Sequence, residues 1–344
     1  MWQDFDGWRR PCHRPVPVRP SVRLVLVLSL LVPWAALSGP ASAAKRTSRR
    51  AETDAVIQAV VEGGAVPTAV SRLRYLREEA YAAREIATTL RNVHEERLRR
   101  NLTAVLAGLV TRAAEPTLVG LASDEDSAVR MYAAQGLAKL HSRYTQVLVP
   151  LLDDKSSGVR REAARALGAS RNPKMGPVLV KAAKAEKELE VRAAILAAVG
   201  ETGDAKQGPA LKEFLASDSE STRFAAAKGL CRLGAPEGFA FAGKLLGSED
   251  RFVRRQGLEL YEGVSAKKAA PALKPLLEDK DRALAASAAR ILHEGGDASM
   301  LEWLVLASWN AKSDEKLAYE RELEALQLRD DRRKAILRKA GVAQ

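Results

Sequence analysis

Residues 153–168 read DDKSSGVRREAARALG, and the run from Val159 to Leu167 decides the fold. Val159, Ala163 and Leu167 recur every fourth residue, which stacks them on one face of an α-helix. The Asp and Ser residues ahead of them suit the N-terminal cap and the positive end of the helix dipole. Gly168 behind them suits a left-handed C-terminal turn. The pattern returns along the chain at Val129-Arg130, Val191-Arg192, Thr222-Arg223, Val253-Arg254 and, with Leu in place of Arg, Ala283-Leu284. Successive copies are 30, 32, 31, 31 and 30 residues apart, a period that marks a repeat array.

Each copy is preceded by a second apolar segment, such as Pro116 to Leu121, Pro177 to Val180, Pro209 to Leu215 and Pro271 to Leu277. Proline at the start fits the first turn of a helix, whose N–H groups have no partner inside the helix. The unit is therefore helix A, turn, helix B, turn. One hairpin cannot hide its apolar stripe alone, so the units must stack. At position i−4 from Arg130, Arg192 and Arg254 stand Asp126, Glu188 and Asp250, which predicts ion pairs along each helix B.

The pattern D-x-x-V-R-x-x-A-A-x-A-L-G after P-x-L-x-x-L-L resembles the short HEAT repeat, the variety named after phycobilisome lyases. The likeness runs over roughly residues 93–311. It implies an all-α fold, a right-handed α–α superhelix (solenoid) of about six to seven helical hairpins, with helices B lining a concave face. The domain reading is a targeting segment at 1–43, a basic linker and short helix at 44–67, and capping helices or a degenerate repeat at 68–115. The solenoid itself covers 116–311, and charged capping helices follow at 312–344. Within these, 45–51 reads as an unstructured basic stretch and 68–91 as one amphipathic helix.

Five arginines precede the apolar run Leu24 to Leu37, which is followed by the small residues Gly39 to Ala43. Basic start, short apolar run and A-x-A site read as an export signal cleaved near Ala43. At about 1.5 Å per residue the run spans about 21 Å, short of a bilayer core; a membrane anchor over 24–37 is the alternative. The whole chain has net charge +12; with five Arg and two Asp in 1–43, the remainder carries +9. Of the two cysteines only Cys231 lies beyond Ala43, inside a helical pattern, so it reads as a buried thiol and no disulfide framework exists.

Catalytic motifs are missing from the sequence: it has no H-E-x-x-H, G-x-S-x-G, phosphate-binding loop or G-x-G-x-x-G. His94-Glu95 and His293-Glu294 are His-Glu pairs, the ligand type of deoxyhypusine hydroxylase, a di-iron enzyme of similar repeats. Neither pair occupies the position just after Val-Arg that the resemblance requires, so no metal or cofactor is expected. The sequence places a candidate binding face on the helix-B positions just after Val-Arg and after the Ala pair. These are Met131, Tyr132, Gln135, Arg161, Glu162, Arg165, Phe224, Lys228, Arg255, Gln256 and Glu259, with Ala193, Ala194, Ala197 and Ala225 in the same register. They vary in character between copies, as a recognition surface does, and Tyr132, Phe224 and Arg255 are anchor types. The resulting expectation is an exported, non-enzymatic scaffold binding a protein or peptide partner, with no nucleic acid and no small-molecule substrate. The alternatives are a basic cell-envelope protein binding acidic polymer or anionic lipid, and a lyase or hydrolase with an unrecognised site.

Overall fold

The computed structural model describes residues 40–342, and every regular element among them is a helix. The export-like segment, apart from its last four residues, lies outside the described residues. The chain opens with α1 (Pro40–Val61), α2 (Val66–Leu76), α3 (Glu79–Leu90) and α4 (Glu96–Leu109). The hairpins continue as α5 (Glu115–Leu121) with α6 (Ser127–Lys139), α7 (Thr145–Leu148) with α8 (Ser157–Ala169), and α9 (Gly176–Ala185) with α10 (Leu189–Glu201). They go on as α11 (Gly208–Glu213) with α12 (Glu220–Leu233), α13 (Pro236–Leu246) with α14 (Arg251–Glu259), and α15 (Ala266–Leu273) with α16 (Arg282–Glu294). The array closes with α17 (Ser299–Asn310), α18 (Ser313–Ala325) and α19 (Asp330–Lys339).

The all-α solenoid is as the repeat implied. Helices B stack in order, α4 on α6, α6 on α8, α8 on α10 and α10 on α12. Val129, Ala133 and Leu137 are sealed from solvent, as are Val159, Ala163 and Leu167. Asp126, Ser219, Asp250 and Asp281 accept the capping bonds expected of them.

Two small positions set how close neighbouring helices B come. Seven residues after the first residue of the Val-Arg pair stand Gly136, Ala166, Ala198 and Gly229; nine after it stand Ala138, Gly168 and Gly200. A Cβ on Gly168 would lie 2.9 Å from Ala198, and one on Gly200 would lie 2.5 Å from the Cα of Gly229. The ninth position of one helix thus rides on the seventh of the next. This corrects the reading of Gly168 as a turn glycine: it and Gly200 are both helical and serve packing. In the turns after α10, α12, α14 and α16, Gly203, Gly234, Gly263 and Gly296 take the left-handed conformation.

The seam fails once. At the same two positions stand Cys231 in α12 and Leu260 just past α14. Their bulk keeps α12 and α14 from stacking closely, and α13 bridges them instead. The apolar interior divides there into two clusters: Ala226 and Leu230 of α12 belong to the first, Ala227 and Cys231 to the second. Phe239 stacks on Tyr261 at 5.7 Å on the far side of this joint.

Three further expectations are corrected. Residues 45–51 are helical, and Arg50, Glu52 and Asp54 find partners on the next two helices and the turn between them: Glu78 in the turn, Arg72 on α2 and the Tyr81 hydroxyl on α3. The segment 68–91 is two helices, broken where Arg77 takes a positive φ of 56°. The i−4 ion pairs do not form. Arg130 instead donates to the carbonyls of Asp124 and Glu125 at 2.7 and 2.8 Å and to Asp154 of the next turn at 2.7 Å. Arg160 repeats this with the Asp154 carbonyl at 2.9 Å and Glu186 at 2.7 Å. The carboxylates at i−4 are used elsewhere, Asp126 as a cap and partner of Arg100, Glu188 as a partner of Arg160.

Candidate functional site

The helix-B register places its candidate residues unequally. Met131 and Tyr132 on α6 are half-buried against the first apolar cluster; Gln135 is half-buried beside them. Phe224 is half-buried against the second cluster. Lys228 is committed to Glu262 at 2.9 Å. Arg255, Gln256 and Glu259 are exposed on α14, past the joint, and do not join the others.

The structure brings one group together. Arg161 and Arg165 of α8 face Ala193, Ala194 and Ala197 of α10 across an open groove of about 430 Å³, closed by Glu190, Ala198, Glu201 and Ser221. The three alanines supply the apolar part of its lining. Arg161 and Arg165 lie four residues apart and so project from adjacent turns. Glu162 between them is buried at 6% exposure. It accepts a bond from Arg165 at 3.0 Å, and the Arg161 Nε lies 3.5 Å from it. That buried Nε has no hydrogen-bond partner among the described residues. Glu201 is held by Arg232, whereas Glu190 has no ion-pair partner among the described residues. Lys139 at the end of α6, exposed at the surface, is held below its ordinary pKa by partial desolvation and the charge of Arg74, and Glu162 pulls the other way.

Sequence reasoning missed Glu190, Glu201 and Ser221, because they fall outside the three-residue register used to read the face. Of the histidines, His293 lies 3.4 Å from the Asp297 carbonyl, while its neighbour Glu294 pairs with Arg290. Burial pushes the Cys231 thiol up to about 12. An apolar alanine surface edged by two guanidiniums suits an apolar molecule that carries carboxylates.

A family model for HEAT repeats matches residues 83–158, 145–223 and 208–292. The bilin biosynthesis protein PecE of Nostoc sp. is 34% identical over 109 residues, which is 29% of this chain and 43% of that protein. The phycobilisome maturation protein of Synechococcus elongatus is 34% identical over 97 residues, 28% of this chain and 47% of that one. The chain thus spans less than half the length of these curated relatives. Among solved structures, the complex of CpcE and CpcF of phycocyanin lyase from Nostoc sp. shares the fold. Its TM-score is 0.50 at 20% identity, covering 70% of this chain and 94% of that one. These relatives overturn the expectation of a non-enzymatic scaffold, because the curated proteins similar to this chain are named for bilin biosynthesis and phycobilisome maturation. The expectation of no small-molecule substrate falls with it. The repeat motif misled because it specifies architecture, and its framework residues carry no chemistry of their own.

Proposed function

This chain belongs to the HEAT-repeat family, and from that premise we propose that it is a lyase-type protein that holds a bilin in the groove between α8 and α10. The observation that carries this reading is the pairing of the Ala193, Ala194 and Ala197 floor with Arg161 and Arg165. A bilin is a linear tetrapyrrole with an extended apolar π-system and two propionate carboxylates. The alanines take its ring face, where a larger side chain would block approach. The two arginines take its carboxylates, in fork geometry that fixes orientation as well as position.

A lyase adds to, or eliminates across, a double bond, and this chain's part is to hold the chromophore at one angle and keep water off one face. Glu190 is the groove carboxylate without an ion-pair partner among the described residues, since Glu201 is bound to Arg232. The reading includes a protein partner, by analogy with the two-protein complex of CpcE and CpcF. That partner completes the open side of the groove and presents the acceptor protein.

The test is titration of the purified full chain with biliverdin, followed by visible absorbance and fluorescence. Saturable binding is expected, weakened at least tenfold in R161A/R165A and weakened also in A194F, which fills the floor. Wild-type protein that leaves the biliverdin spectrum unchanged overturns the bilin reading. Binding that is equal in all three proteins overturns the groove.

A further inference from the structure

The turns that follow helices B each need one residue in the left-handed region. Reading along the chain, that residue is Val110, His141, Arg171, Gly203, Gly234, Gly263 and Gly296, with φ of 51°, 47°, 51°, 74°, 79°, 78° and 108°. The last four turns use glycine, the residue that adopts this conformation without steric cost. The turn after α4 puts Val110 there, and those after α6 and α8 put His141 and Arg171 there, whose Cβ atoms make the conformation sterically unfavourable.

Packing does not explain the choice of His141 and Arg171, because both side chains are exposed. What they share is a cleft. With Arg112, Arg143, Ala169, Ser170, Asn172 and Pro173 they line an open cavity of about 720 Å³ on the turn edge of the array. Arg112 and Arg143 each stand two residues past the left-handed residue of their turn, whereas Arg171 is itself the left-handed residue of the third turn, so three successive turns each bring an arginine to the cleft. His141 Nδ1 lies 2.9 Å from the Ala169 carbonyl, which fixes its ring across two turns.

The lining contains no carboxylate. Arg112 shares its charge with Glu115 at 3.0 Å, but neither Arg143 nor Arg171 has an ion-pair partner among the described residues. This sets them apart from Arg130 and Arg160, whose guanidiniums are saturated by carbonyls and carboxylates. Two unpaired guanidiniums beside a third that is only partly neutralised leave the cleft with an excess of positive charge that an anion would offset.

We propose that this cleft is a binding site for the phosphate group of a phosphorylated ligand. Guanidinium forks match phosphate oxygens two at a time. Three such forks exceed what one carboxylate can accept, and they suit a group with three or more acceptor oxygens and a charge near −2. The group can reach the cleft on a soluble phosphate ester or on a phospholipid headgroup. The site goes beyond the proposed function and shares no lining residue with the α8–α10 groove.

The experiment measures binding of inorganic pyrophosphate to the full chain by calorimetry, and binding to vesicles with and without phosphatidic acid by flotation, at 0.15 M salt. Pyrophosphate binding is expected, reduced at least tenfold in R143A and in R171G. The R171G and H141G proteins are expected to melt no lower than wild type, since glycine relieves the strained φ. Retention on phosphatidic acid vesicles would place the ligand on a membrane, and pyrophosphate binding without it would make the ligand soluble; both support the site. No pyrophosphate binding, equal binding in R143A and R171G, or a lower melting temperature in R171G overturns it. The R161A/R165A protein is expected to bind pyrophosphate as wild type does, so failure of the bilin reading and failure of this one are separable.

Discussion

Gly200 and Gly229 show how far a single residue governs this molecule. A methyl group on either would meet backbone, not a movable side-chain end: 2.5 Å to the Gly229 Cα in one case and 2.9 Å to the Leu196 carbonyl oxygen in the other. G200A is therefore expected to destabilise the chain by about 2–3 kcal/mol, the range of overpacked cores, read as a lower urea midpoint. Gly120 and Gly243 are the internal controls, because a Cβ there meets nothing within 4 Å. The Asp154 carboxylate makes a second case. Burial pushes it up, but bonds from Arg130 and the Ser156 N–H, with the charges of Arg130 and Arg160, hold it below the ordinary carboxylate value. Glu186 follows the same logic with Arg160. A depressed folded pKa means stability that is fully present above the unfolded value, about 4, and lost as pH falls through the folded one. Melting temperature is expected to drop as pH is lowered from 5 towards 3, with a shallower slope in D154N, measured by circular dichroism at each pH. A D154N slope equal to wild type would remove Asp154 from the acid response.

Among the elements, α14 departs most from its sequence. Val253-Arg254 sits in perfect register, and Arg254 makes the same carbonyl bonds as its counterparts, to Ser248 and Glu249 at 3.2 and 3.0 Å. Yet the helix is short and lacks the close neighbour that α6, α8 and α10 have. The cause lies seven residues on, at Leu260, where the earlier copies carry Gly or Ala. The repeat was legible because its period fixes which residues face inward. The joint was not, since an apolar residue satisfies the inward pattern equally well whether it is small or large. The same limit applies to the candidate site. Arg161, Arg165 and the three alanines were legible from register alone, whereas Glu190 and Ser221 reach the groove from helix starts that the register does not index. His141 and Arg171 could not be read as turn residues, because composition rules expect glycine there. At the joint itself, Y261A removes the ring that stacks on Phe239. It is expected to cost about 3 kcal/mol in the second cluster and to speed amide exchange over 236–342 while leaving 83–225 unchanged. Uniformly faster exchange along the whole chain would show that the two clusters unfold as one.

At the scale of the molecule, the described array is one run of hairpins with two apolar interiors. The α8–α10 groove and the cationic cleft both belong to the first, between α4 and α12. The second carries the aromatic packing of Phe239, Tyr261, Trp303 and Tyr319, together with the charged closing helices. In an array held by nearest-neighbour contacts, each interior answers for its own stability. A protease cut in the turn around Gly234 should therefore leave a front piece that still grips its ligand. The rear piece is then a handle that evolution or an engineer can exchange without loosening the grip.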